Sequence, residues 1–490
     1  MFLISILLIL AMQFSETKNR EELWISVLSP RAIVTVNCLL TDIMTGKRPK
    51  QVVLLSEIDS GQSIVKAVSE LCKLWLNYDV TVEMFKFNPL DEEILDRLEK
   101  TYLNQGDKVL VNITPGRKID ALRLYAMARR HGCSIRYHYL IYESLLGYRP
   151  FALAPFDTII PLNLNTWKPS NWNPPQVGAD KSPVRLNLEE ACAFINILSV
   201  YTRSRSIQMR VGEPFTTAEI TFNVIKSGIA KISHEINNRE IMEALNSACI
   251  MSEAIEPENI DEIAKELAKL IRSGYEIIPD TNTLMDRITS QLERKISAYG
   301  IRTDTFRESI TILRVVYNEL SQFERMSDRG INEDQIRLRK RFLGLREMQR
   351  LGKGIPEPPS EKFTRARGDD MLIEEIKARL GRKPKAVLIT EDMGLSRRAK
   401  LLLDTKLIET PDVKKNSTIP TDAIPKIIYF MTILAPNVVI KTGNIEVKLK
   451  FSKRELIERD EIRAYTDPKT AAIANKIKKT LEIEKELLRP

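Results

Sequence analysis

The second half of the chain places carboxylates where helices begin or strands end: Asp280, Glu319, the neighbours Asp369 and Asp370, and Asp392. Carboxylates drawn into one cleft repel one another unless a proton or a cation intervenes. No His or Cys stands beside them, and an all-oxygen donor set points to a hard divalent ion, Mg2+ or Mn2+. Such an ion makes a nucleophile of its bound water and offsets charge on a phosphate under in-line attack. The acids would then serve as ligands or as a general base. Each also has an ordinary reading: Asp280 and Asp369 as helix N-caps, Asp392 as a turn residue. Their joint occurrence at element boundaries favours the chemical reading.

A second stretch of chemical interest lies at residues 108–123, KVLVNITPGRKIDALR. An apolar β-branched run turns sharply at Thr114-Pro115-Gly116 and enters a helix with Ile119, Leu122 and Ala126 on one face. A strand that feeds a helix through a tight turn presents unpaired N–H groups and the positive end of the helix dipole, a favourable place for phosphate. Thr114 adds a hydroxyl donor, Gly116 permits close approach, and Arg117 and Lys118 add positive charge. Ser29 and Arg31, after an earlier strand, would reach the same surface.

The elements that must position these groups follow from hydrophobic periodicity. Strands are expected at 23–29, 51–56, 80–85, 109–112 and 134–140, with helices between them at 32–44, from 61 to 74, at 90–102 and after residue 117. This alternation argues for a doubly wound α/β domain, whose ligands sit beyond the strand carboxyl ends. A return to the sheet is expected near 158–161. Residues 187–272 read as mostly helical, with helices at 189–201, 217–225 and 260–271 and a capping box at Thr216–Glu219. A helical linker and a winged helix both fit this stretch. From Tyr275 the pattern returns to α/β: a strand delivers Asp280, and a basic helix spans 334–352. A strand at 386–390 ends at Glu391-Asp392, with a helix after it. A hairpin turning at Thr442-Gly443-Asn444 and a basic amphipathic helix over 467–488 close the chain.

With the elements in place, two resemblances emerge. The turn Asn112-Ile113-Thr114-Pro115-Gly116-Arg117-Lys118 resembles the signature of the CARF family, Rossmann-like sensor domains of CRISPR systems. It carries Pro115 and Arg117 where the family often has glycine and threonine. The resemblance implies a homodimer that binds a cyclic oligoadenylate across its two-fold axis and switches on an attached effector. Residues 271–406 resemble the PIN nuclease family, through Asp280-Thr281-Asn282, Asn318-Glu319-Leu320 as a helix start, Gly368-Asp369-Asp370 and Leu388–Asp392. That implies metal-dependent cleavage of single-stranded RNA. Asp280, Glu319 and Asp392 would be metal ligands, with Asp369 or Asp370 as a further one, and Asn282 would orient the first. The expected organisation is α/β: a Rossmann-like sensor over 19–185, a helical or winged-helix-like segment over 186–270, and a PIN-like domain with a C-terminal extension over 271–490.

Bulk properties narrow the alternatives. A net charge of +9 favours a polyanionic partner. The five cysteines are scattered without a CxxC pair, which argues for reduced thiols in a cytoplasmic protein and against a zinc ribbon. Residues 2–12 are apolar but too short to span a bilayer, so no stable membrane partner is expected. The three histidines do not complete the Arg-x4–6-His motif of the HEPN ribonucleases. A restriction-type reading of Asp280 with Glu446-Val447-Lys448 leaves far too long a gap. The runners-up are a DNA-cleaving effector and a ligand-gated transcriptional regulator. Arg337, Arg339, Lys340, Arg341, Arg346 and Arg350, with Lys362, Arg365, Arg367, Arg397, Arg398 and Lys400, are the candidate contacts to a nucleic-acid backbone.

Overall fold

The computed structural model describes residues 22–57, 61–140, 149–212, 218–327, 330–357, 369–381, 385–403, 406–409 and 418–488. The chain opens with β1 (Leu23–Val27), α1 (Ala32–Met44), β2 (Gln51–Ser56), α2 (Gln62–Leu76), β3 (Thr81–Lys86), α3 (Glu92–Thr101), β4 (Val109–Asn112), α4 (Lys118–Arg130) and β5 (Ser134–Leu140). The antiparallel β6 (Ile159–Asn163) and β7 (Lys168–Pro169) complete a sheet of order β3-β2-β1-β4-β5-β6-β7. Its first five strands run parallel, in the doubly wound arrangement, with the reversal of strand order between β1 and β4.

Alternation along the central strands explains why this sheet is buried on both faces. Trp24, Val52, Leu54 and Leu110 enter one core with α1 and α2. Ile25, Val53, Leu55, Val109 and Val111 enter the other, with Leu95 and Leu98 of α3 and Leu124 and Met127 of α4.

The next stretch departs from expectation. After β8 (Val184–Leu186) and α5 (Leu188–Thr202) come three strands, β9 (Ser206–Val211), β10 (Ala218–Lys226) and β11 (Ile229–Glu235). The helix expected over 217–225 is therefore a strand from Ala218 onward, and residue 217 lies outside the described residues. Ala218, Ile220 and Phe222 are buried while Glu219 is exposed, a period of two that fits a pleat and not a helix turn. The capping box expected at Thr216–Glu219 falls partly outside the described residues, and Ala218 and Glu219 belong to β10. Helices return at α6 (Arg239–Met251) and α7 (Ile260–Arg272).

A smaller parallel sheet follows. It is built from β12 (Glu276–Pro279), β13 (Ala386–Thr390) and β14 (Lys406–Glu409), with Ile310 bridged to Ile277 on the outer side. Between β12 and β13 lie α8 (Thr281–Met285), α9 (Arg314–Leu320), α10 (Glu333–Arg350) and α11 (Asp369–Leu380), and α12 (Met393–Leu402) follows β13. This body has its own core around Ile277, Ile278, Phe306, Val387 and Leu388.

The chain then returns to the middle sheet. β15 (Thr418–Pro420), α13 (Ile424–Leu434), β16 (Val438–Thr442), β17 (Ile445–Phe451) and β18 (Ile462–Tyr465) precede the terminal helix α14 (Pro468–Leu487). The eight-stranded order is β15-β11-β10-β9-β16-β17-β18-β8. Strands therefore do not follow the division expected at residue 270: segments on both sides of the small parallel body pair into one sheet. The reason is hydrogen bonding across β9–β16, where Met209 faces Ile440 and Val211 faces Val438. A single hydrophobic core joins this sheet to α1 and α2 of the first body. α14 locks the same junction, for Thr480 accepts from the Trp75 indole at 2.9 Å and Lys476 donates to Asn77 Oδ1 at 2.9 Å.

Candidate functional sites

Asp280 and Asp392 occupy equivalent places. β12 and β13 are neighbouring parallel strands with Pro279 opposite Ile389, so both acids sit at the same sheet edge. Each caps the helix that follows. Asp280 Oδ1 accepts from Thr283 N at 2.7 Å, and Asp392 Oδ1 accepts from Gly394 N at 2.7 Å and Leu395 N at 3.0 Å. The capping reading and the cleft reading thus hold together, because a carboxylate has a second oxygen. In Asp280 that oxygen accepts from Thr390 Oγ1 at 2.5 Å. Asp280 is 3% exposed, and burial raises its carboxyl above the ordinary range; its hydrogen bonds oppose this, and the charge of Asp392 adds to it.

Glu319, Asp369, Asn282, Asp280 and Asp392 all line one cleft of about 410 Å3, together with Thr281, Arg337 and Arg341. Glu319 comes from the last turn of α9, not from a helix start as expected, because the helix already begins at Arg314. Its carboxylate accepts from Thr281 Oγ1 at 2.9 Å and pairs with Arg341 at 3.0 Å and Arg337 at 3.4 Å. Asp369 opens α11 and pairs with Arg398. Asp370 is not among the residues lining the cleft, and its side chain is 62% exposed, 3.6 Å from the same arginine. Of the two neighbours, Asp369 is the one placed on the cleft.

The donor set suits a hard cation in chemistry. In position, no three acidic side chains among the described residues come together closely enough to hold one. Arginines pair with Glu319 and Asp369, while the charge of Asp392 acts on Asp280. Glu391 engages Asp286 and not the cleft; burial and the charges of Asp286 and Asp280 push its carboxyl up to about 8, against the pull of Lys340.

Four of the expected backbone contacts are otherwise engaged. Arg339 is fully buried and donates to the carbonyls of Leu434, Ser327 and Gly330. Lys340 pairs with Asp286, Arg346 donates to the Leu456 and Ile457 carbonyls, and Arg350 serves Glu347 and Glu293. In α10 only Arg337 and Arg341 line the cleft. Lys362, Arg365 and Arg367 lie outside the described residues. Thr281 and Thr390, which hold the acids, carried no signal beyond standing next to or opposite them.

At the other end of the molecule, the turns after β1 and β4 flank the reversal of strand order. Gly116 has φ +95°, and a Cβ there would approach Val27 Cγ1 to 2.9 Å, so the turn closes on the end of β1 only with glycine. The exposed Lys118 opens α4. Two expectations change. Arg117 is tied to Glu57 and to Asp120, whose carboxylate also accepts from Arg117 N at 2.8 Å. The Thr114 hydroxyl faces inward, donating to Asn112 Oδ1 at 2.8 Å and accepting from His138 N at 2.7 Å, so it braces the turn. Ser29 likewise binds locally, its hydroxyl accepting from Arg31 N at 3.2 Å. Ile119, Leu122 and Ala126 share a face of α4, as expected, but that face is exposed; Leu124, Met127 and Ala128 fill the core.

Fold and sites together define an α/β protein with a reversal of strand order in one parallel sheet and an acidic cleft on a second. No family model matches the chain, and no curated protein matches it. Among solved structures it shows remote similarity to Can2 from Sulfobacillus thermosulfidooxidans in complex with cyclic tetra-adenylate (10% identity, 80% of this chain and 94% of that one, TM-score 0.25). Others are protein VC1899 from Vibrio cholerae (12% identity, 79% and 94%, TM-score 0.26) and a type III CRISPR defence DNA nuclease activated by cyclic oligoadenylate (13% identity, 87% and 66%, TM-score 0.23). No helix among the described residues is long and apolar enough to cross a membrane.

Proposed function

We propose that the protein is a metal-dependent endoribonuclease of type III CRISPR antiviral defence, switched on by a cyclic oligoadenylate. The observation that carries this reading is the single cleft lined by Asp280, Glu319, Asp369 and Asp392, acids from four separate stretches of sequence. Asp280 and Asp392 would hold a hard divalent cation, Mg2+ or Mn2+, joined by Glu319 and Asp369 once these leave their arginines. Bound there, the ion would supply a reactive hydroxide at neutral pH and offset charge on the scissile phosphate. Thr283 N and Thr390 orient Asp280 for this role. Arg337 and Arg341, released from Glu319, would face the phosphates of a single-stranded RNA.

The activator would sit at the switch point on the turn that carries Gly116 and Lys118, with Ser29 and Arg31 across from it. The exposed apolar face of α4 supports a homodimer that brings two such turns to one ring. A regulator that reads DNA through middle helices has less support, since residues 206–211, 218–226 and 229–235 form strands.

Cleavage of single-stranded RNA and DNA with Mg2+ or Mn2+, with and without cyclic oligoadenylates, tests the reading. RNA should be cut only with metal and activator together, and Asp280→Asn should abolish cutting while activator binding persists. Cutting by Asp280→Asn at the wild-type rate would refute the catalytic assignment, and cutting of DNA alone would replace the substrate.

A further inference from the structure

Behind the turn after β4 stands a set of buried polar side chains that the backbone geometry of the turn does not itself require. Trp24 of β1, Asp42 of α1, and Arg136 and His138 of β5 are each at most 2% exposed. Asp42 accepts from the Trp24 indole at 2.9 Å, and its Oδ1 lies 3.2 Å from Arg136 Nε and 3.3 Å from His138 Nε2. The other imidazole nitrogen, Nδ1, lies 3.2 Å from Thr114 Oγ1. The Thr114 hydroxyl hydrogen is committed to Asn112, so the hydroxyl can only accept from His138. Nδ1 then donates to Thr114, and Nε2 stands at ion-pair distance from the Asp42 carboxylate without hydrogen-bonding it, an environment that favours the imidazolium. Burial alone would strip its charge; the Asp42 carboxylate, with Cys38 from the same helix, prevails and holds the ring at about 9. One carboxylate therefore faces two cations, Arg136 and His138, and a net positive charge remains beneath the turn where water cannot screen it.

We propose that His138 is a positioning residue of the nucleotide cradle. Pinned between Asp42 and the Thr114 hydroxyl, it fixes the turn after β4 and sets a buried positive charge behind the N–H groups that would receive a nucleotide phosphate. The inference rests on the reading of that turn as a phosphate cradle. It assigns work to a residue that touches no ligand: one side chain couples the shape of the turn to its charge. The groups facing the ring are Asp42 and Cys38 from α1, Arg136 from its own strand and Thr114 from the turn.

The test is equilibrium binding of cyclic tetra-adenylate to the full chain as pH is varied, with thermal melting measured on every variant. For the wild type, affinity should be level between about pH 6 and 8 and fall about tenfold toward pH 10 as the imidazolium loses its proton. His138→Asn keeps an N–H for Thr114 but no charge; it should bind more weakly at pH 7 and lack the wild-type fall at high pH. His138→Phe removes both and should bind more weakly still; if it does not fold, the wild-type profile and the Asn variant decide. A wild-type profile level to pH 10 overturns the proposal, as does a folded Asn variant that matches wild type in affinity and pH profile. Failure of the folded wild type to bind at any pH removes the cradle reading itself, and this proposal with it.

Discussion

The two sites are built on the same device with opposite sign. In each, parallel strands end at one edge and a helix begins there. In the N-terminal sheet the charge lies behind the backbone: Asp42, Arg136 and His138 are buried, and the exposed Arg117 is tied up by Glu57 and Asp120. In the small sheet the charge lies on the surface of the cleft, where Glu319 and Asp369 are matched by arginines. The difference teaches that a strand–helix edge is neutral hardware. A buried cation biases it toward an anion, whereas lining carboxylates bias it toward a cation.

The sharpest break of this contrast is Asp280→Asn. The amide still caps α8 but cannot neutralise a cation, so cleavage should drop by at least about a thousandfold with little change in melting temperature. Removing divalent metal with a chelator should do the same to cutting and leave nucleotide binding intact, as a filter-binding assay would show. Next in size is Gly116→Ala, which forces a Cβ against Val27 and a side chain into positive φ. A loss of about 1–3 kcal/mol in chemical denaturation and weaker activator binding are expected, with nuclease chemistry in any constitutively active variant unaffected. A smaller effect probes the seam between the bodies. Glu484 is fully buried with the Phe151 N–H at 3.1 Å, and burial raises its carboxyl to about 8. Between roughly pH 4.5 and 8 the folded state holds a proton that the unfolded state has lost, so this group's contribution to stability falls as pH rises through that window. Glu484→Gln should flatten the slope by about 1–3 kcal/mol across the window, measured by urea melts. Lys118→Ala should cost only a few-fold in activator affinity, since an exposed charge is screened.

Much of the first body was legible because its central strands are continuous apolar runs bounded by turns: β2, β4 and β5 have the expected ends. Asp280, Asp369 and Asp392 were legible too, since strand ends and helix starts leave local marks; Glu319, in the last turn of α9, has no such mark. The three strands β9 to β11 were not read, although Ala218, Ile220 and Phe222 alternate with less buried neighbours. Their apolar residues also satisfy a helical spacing over so short a run, and the partner strand β16 lies more than 200 residues away. The partners of the arginines were beyond reach for the same reason. Nothing local distinguishes Arg341, which faces Glu319, from Arg339, which ends among carbonyls of another segment. His138 stood unremarked because its meaning depends on Asp42, far away in sequence.

Helix α10 has one further implication. Its buried Arg339 and its Arg346 are anchored to carbonyls around the middle sheet, while Arg337 and Arg341 reach into the cleft. A shift in that anchorage would therefore withdraw or advance guanidinium groups first and leave the aspartates on the strand ends where they are. Under the proposed function, activation would be a matter of retracting counterions, much as a key is lifted from a string that was already tuned.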